Sequence, residues 1–117
     1  MRTHVTFLRR KCVILPLVLK GKWYDMIASG EKREEYRDYS AYWEKRINNW
    51  CDKRGLHVVE FRLGYAKDAP KMWFTVGEVF LRREAHTHTW GEPPGTHFAI
   101  VLKSRVELID DKKECEA

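Results

Sequence analysis

Apolar and polar positions fall into blocks along this chain, and each block has its own period. Cys12 to Leu19 is an almost unbroken apolar run bounded by charged residues, which predicts a buried strand. Lys22 to Ser29 changes period. Trp23, Met26 and Ile27 stand at i, i+3 and i+4, one stripe of a short helix, and Gly30 follows where a helix C-terminal glycine belongs. A charged strand comes next. Ser40 is placed to cap a second helix running to about Arg54, with Trp43, Ile47, Trp50 and Cys51 along one side and Gly55 at its end.

From His57 the period is two. Val59, Phe61 and Leu63 alternate with Val58, Glu60 and Arg62, predicting a strand over 57–63. Residues 64–70 (Gly-Tyr-Ala-Lys-Asp-Ala-Pro) carry turn chemistry. Lys71 to Arg82 predicts a longer strand whose Phe74, Val76 and Phe80 face also holds Glu78, an acid among hydrophobes. Residues 83–96 form a polar loop, and His97 to Leu108 predicts the last long strand. Residues 1–11 read as a loose or weakly paired arm, and 110–117 as a charged, frayed tail. About five strands with two short helices, both placed early, predict an α+β domain. Its later strands lack intervening helices, so the expected form is a small closed or half-closed barrel.

Composition agrees with one domain over residues 1–117, its core at 12–108. The chain has 117 residues, 44% of them hydrophobic, enough for a real core and against disorder. Cys12, Cys51 and Cys115 are widely spaced and odd in number, with no Cys-x-x-Cys pair. That suits a reducing cytoplasm better than a disulfide framework and argues against a zinc knuckle. Arg9-Arg10-Lys11 before the apolar run superficially looks like a signal peptide. The run is short, contains Pro16 and ends in Lys20 without a small-residue cleavage site, so the strand reading is preferred. No stretch is long enough to span a membrane.

Charge is one-sided. Residues 1–58 hold 13 Lys and Arg against 7 Asp and Glu, whereas 59–117 hold 9 against 10, so the first half carries all of the +5 excess. A one-sided positive field suits a polyanion such as RNA or DNA.

The same half contains the densest chemistry, Gly30-Glu31-Lys32-Arg33-Glu34-Glu35-Tyr36-Arg37. In an extended strand Glu35 and Arg37 share a face, Cα atoms about 7 Å apart. Gly30 permits a turn that a Cβ would resist, with Lys32 at its mouth. An ammonium, a carboxylate and a guanidinium thus converge in one short element. The alternative is a solvated edge strand whose charges block aggregation and whose pairing is worth about 0–1 kcal/mol.

Gly30, Lys32, Glu35 and Arg37 match G-x-K-x-x-E-x-R, and in this the chain resembles the ASCH domain family, whose barrel is related to the PUA domain. Leu15-Pro16-Leu17 and Lys22 to Ile27 look like that family's opening strand and helix. Phe61-Arg62-Leu63-Gly64-Tyr65 and the segment from Trp90-Gly91 to Phe98 look like one of its branches. The likeness covers about residues 12–108. It implies a cleft lined by Lys32, Glu35 and Arg37, shaped by the Gly30 turn, that takes RNA or a nucleotide-like ligand. No cofactor or metal is implied.

Within that reading Lys32 and Arg37 donate to phosphate or base acceptors, and Glu35 accepts or holds Arg37. Tyr36, Tyr65 or Trp90 offers a stacking face, although core packing is the commoner fate of such a ring. Trp23, Trp43 and Trp50, on helical apolar stripes, are expected in the core. Arg62, Tyr65 and Lys71 join the candidate set because the loop after the third strand is placed to close over the cleft. Hydrolysis of a modified nucleoside is the alternative, with Lys32 and Glu35 as catalytic groups. Some ASCH proteins are amidohydrolases on acetylated cytidine, but they place Thr where this chain has Glu35, so Glu35 would act as general base with Lys32 stabilising the oxyanion and Glu78 or Glu92 assisting. Ribonuclease action is a third possibility, with His86, His88 and His97 as acid–base groups. A fourth is an interaction module that docks its basic half on an acidic protein.

Overall fold

The computed structural model describes residues 6–8, 12–87 and 89–108. Its elements run β1 (Thr6–Leu8), β2 (Cys12–Leu19), α1 (Gly21–Ala28), β3 (Glu34–Asp38), α2 (Ala41–Asp52), β4 (Leu56–Leu63), β5 (Lys71–Arg82) and β6 (His97–Leu108). The class is α+β, a mixed sheet with two helices. Strands follow the order β1-β6-β5-β4-β2, and β3 also pairs with β6. The β4–β5 and β5–β6 pairings are antiparallel, whereas β2 lies parallel to β4. That parallel pairing requires a crossover, which α1, β3 and α2 supply.

The expected closed barrel is not formed. β1 and β3 occupy different stretches of β6, Val106 to Leu108 and His97 to Val101, and the far end of the sheet, β2, pairs only with β4 among the described residues. Side chains guard the open edge of β2. Arg37 donates to the Val18 carbonyl at 3.2 Å, Arg46 to that of Pro16 at 3.4 Å, and Trp50 Nε1 to that of Val13 at 2.8 Å. Pro16 has no N–H to offer, which suits an edge strand.

β2 also corrects the reading of a fully buried run. Val13, Leu15, Leu17 and Leu19 point inward, whereas Ile14 is 38% exposed. The inward set packs against Ile27 of α1, Ile47 and Trp50 of α2, and Phe61, Met72, Phe98 and Ile100 of the sheet. A smaller cluster, Val58 and Val106 with Trp73 and Leu108, lies apart from it. Part of the N-terminal arm is ordered, since Thr6–Leu8 pairs in parallel with Val106–Leu108. The tail expected to fray lies outside the described residues.

Ser40 caps α2 by accepting from the Trp43 N–H at 3.2 Å. In β5 the register shifts between Val76 and Glu78, around Gly77, and Glu78 is exposed. Glu78 therefore does not share the Phe74 and Val76 face, because the irregularity breaks the two-residue alternation.

Candidate functional site

Lys32, Glu35 and Arg37 converge. α1 ends at Ala28, and Gly30 turns the chain with φ +87°, in the left-handed region. The Lys32 N–H returns to the Met26 carbonyl at 2.9 Å, so the residue is fixed by the turn before β3 begins. Its Nζ donates to Glu35 Oε1 at 2.9 Å and to the Glu34 carbonyl. Glu35 Oε2 accepts from Arg37 at 2.7 Å. Both carboxylate oxygens are thus engaged, and the three charges form one chain.

That chain is largely sealed. Lys32 is 2% exposed and Glu35 6%. The Lys32 ammonium stands 4.7 Å from the Tyr36 ring centroid and 5.8 Å from that of Trp23. Gly91, at φ +74°, packs so closely on Trp23 that a Cβ there would lie 2.7 Å from the indole. Burial pushes the Lys32 amine below its usual range, opposed by the charge and hydrogen bond of Glu35. Arg37 is the member that reaches outward, with 18% of its side chain exposed.

A second network lies on the other side of β3. Glu34 takes both Arg82 terminal nitrogens, at 2.9 and 3.3 Å, and the Tyr36 hydroxyl at 2.7 Å. Arg82 also donates to Glu92 Oε2 at 2.7 Å. Glu92 Oε1 accepts the backbone N–H groups of His86 at 2.7 Å and Thr87 at 3.0 Å, which ties the 83–96 loop to the sheet. The fully buried His97 places Nε2 2.7 Å from Glu92 Oε2 and Nδ1 2.6 Å from the Gly95 carbonyl. Burial alone raises both carboxyls. The hydrogen bonds from Arg82, with Tyr36 at Glu34 and with the two loop N–H groups and His97 at Glu92, outweigh it and hold Glu34 low and Glu92 at about 2. Burial and the bond to Glu34 push the Tyr36 hydroxyl well up.

The other candidate residues separate. Tyr36 is buried between Lys32 and His97, whose ring meets it edge-on at 5.5 Å. Tyr65 is 88% exposed, and Trp90 is half-buried. Arg62 pairs with Glu60 at 3.1 Å and lies in register with Lys71 on β5. The 64–70 loop closes on itself through Leu63 N–H to Pro70 O and Ala69 N–H to Ala66 O, both at 3.0 Å, while the aromatic rings over Lys32 are Trp23 and Tyr36. His86 is exposed, His97 is buried and His88 lies outside the described residues. Of the helical tryptophans, Trp50 is core, whereas Trp23 and Trp43 are half-buried and face cations.

A hollow of about 490 Å³ opens where β2 and β4 end, lined by Val18, Lys20, Gly21, Leu63 and Tyr65 among others. Val18, one of these lining residues, is the one whose carbonyl accepts from Arg37. Lys20, the residue before α1, makes no side-chain cap, and the first turn of α1 carries no acid. The first backbone N–H groups of that helix therefore lack the partners a cap would provide. Arg82, Glu34, Arg46 and the hollow were not singled out from sequence. Arg82 meets Glu34 across 48 positions, Arg46 reaches Pro16 across 30, and the hollow joins residues 18–21 to residues 63–65, distances that local spacing does not report.

No family model, curated protein or solved structure matches this chain. No described helix is long and apolar enough to cross a membrane.

Proposed function

We propose that the chain is an ASCH-like, PUA-related domain that binds RNA or a nucleotide-like ligand at the hollow beside Arg37. The observation that carries this reading is the setting of Arg37. Its guanidinium is oriented by Glu35 and by the carbonyl of Val18, a residue that lines the hollow, so it is held without further ordering next to that opening. Lys20 adds positive charge there, the uncapped start of α1 suits a phosphate oxygen, and Tyr65 offers an exposed ring to a base. Lys32 and Glu35 serve as the buried brace that orders Arg37.

Binding is preferred to hydrolysis on the geometry of Glu35. A general base needs a lone pair facing water or substrate, and both Glu35 oxygens already accept from cations in a buried site. Calorimetric titration with nucleoside monophosphates and short RNAs tests the proposal. Arg37→Ala and Tyr65→Ala should each weaken binding about tenfold or more. Equal affinity in wild type and both variants removes the hollow as the site. Release of acetate from acetylcytidine above a Lys32→Met control would restore the hydrolase reading.

A further inference from the structure

We infer that α2 and the open edge of β2 form a second binding surface, a track for single-stranded nucleic acid leading away from the hollow. This surface rests on the nucleic-acid reading above and adds Tyr42, Trp43 and Arg46 to Arg37. Trp43 is flanked by two guanidiniums, Arg37 at 5.0 Å and Arg46 at 5.1 Å from its ring centroid. Arg46 also lies 5.7 Å from the Tyr42 ring and donates to the Tyr42 hydroxyl at 3.2 Å. Tyr42 meets Trp43 edge-to-face at 5.0 Å and is itself 61% exposed. Beyond Arg46 a shallow groove of about 210 Å³ continues between β2 and α2, bordered by Pro16, Arg46, Asn49 and Lys53. Arg37 links the two surfaces, since it donates to the carbonyl of Val18, which lines the hollow, and its guanidinium lies over Trp43.

Arg37 is paired with Glu35, whereas the other cations of the track are uncompensated. Arg46 spends its hydrogen bonds on neutral oxygens, the Tyr42 hydroxyl and the Pro16 carbonyl. Among the described residues neither Arg46, Lys45 nor Lys53 pairs with a carboxylate. The acids nearest in sequence are Glu44, 3.5 Å from the Tyr39 hydroxyl, and Asp52 at the end of α2. Guanidiniums interleaved with partly exposed aromatic rings suit a chain that alternates phosphates with flat bases. An acidic peptide would use the charges and leave the rings unused, so the polynucleotide is the better fit. The shared chemistry is that of single-stranded RNA or DNA, since nothing here reads a 2′-hydroxyl.

Fluorescence anisotropy with a labelled, unstructured 12-nucleotide RNA and its DNA counterpart tests the track, with a nucleoside monophosphate probing the hollow alone. Tyr42→Ala and Arg46→Ala should weaken 12-mer binding about tenfold each and leave monophosphate binding unchanged. Arg46→Ala should also lower the log–log salt slope by about one, whereas Arg46→Lys should keep the slope and still lose affinity. Equal binding of RNA and DNA is the expected result, and binding of RNA alone would overturn the reading that no group on the track recognises the sugar. If monophosphate binds while both variants hold the 12-mer within twofold of wild type at unchanged melting temperature, the track falls and the hollow stands. If a 12-residue polyglutamate displaces RNA as well as unlabelled RNA does, the surface is a general acid-docking patch and the inference is overturned. If wild type binds the monophosphate but neither oligonucleotide, the track alone is overturned, and if it binds none of the three, both readings are.

Discussion

Glu92→Gln is the sharpest test of how the 83–96 loop is held. Glu92 is a buried acceptor surrounded by donors: the His86 and Thr87 N–H groups on one oxygen, Arg82 and His97 on the other. Glutamine keeps the shape but has one oxygen. Whichever way the amide turns, its NH2 faces an N–H group, leaving buried donors unpaired at about 1–3 kcal/mol. Arg82 keeps Glu34, but its second carboxylate is gone. The total should approach the low end of the range for removing one partner of a buried ion pair, about 3 kcal/mol. For a chain of this length that is a fall in Tm of roughly 10–15 °C.

The pH dependence supplies a second readout. The folded carboxyl titrates at about 2, whereas in the unfolded chain it titrates near the ordinary glutamate value of about 4.3. The stabilisation is therefore complete above about pH 4.3 and is lost as pH falls toward 2. Wild type and Glu92→Gln should differ most at pH 7, differ less at pH 3, where about half of the linked part is lost, and converge only as pH falls to 2 and below. Thermal melts followed by tryptophan fluorescence at pH 7, 4, 3 and 2 measure both effects. A Tm within about 2 °C of wild type at pH 7, or a gap that does not change with pH, would refute the assignment of Glu92 as an ionised clamp.

Three further outcomes are expected. Gly91→Ala should cost about 1–3 kcal/mol in thermal melts, because its φ of +74° is strained with a Cβ and the added atom meets the Trp23 ring; an unchanged melt would mean that the loop does not rest on Trp23. Lys32→Ala should cost about 3–5 kcal/mol by leaving Glu35 buried with only Arg37, and Lys32→Met less. Because the folded amine is depressed, wild type should gain stability as pH rises toward 10.5, a gain that Lys32→Met lacks in denaturation curves between pH 8 and 10.5. Ser40→Ala should lower stability by about 1 kcal/mol through loss of the bond from the Trp43 N–H, read as a shift in urea midpoint without a change in slope.

What the amino-acid order alone determined is everything that depends on near neighbours. An unbroken apolar run placed β2, the two-residue period after it placed β4, β5 and β6, the three-and-four spacing placed the helices, and Ser40 and Gly30 marked a start and a turn as the structure has them. Lys32, Glu35 and Arg37 come together because they lie within six residues on one turn and strand, where backbone geometry alone brings them close. Tertiary structure decided the rest. It left the sheet open, added β1 to β6, turned Glu78 outward at the Gly77 irregularity and sealed Lys32 beneath Trp23. It joined Arg82 to Glu34 across 48 positions and set Trp43 between two arginines instead of wholly in the core. Spacing reports which side chains share an element's face. Which face meets which is settled only when distant apolar surfaces leave water together, and a buried charge finds its partner only in that packing.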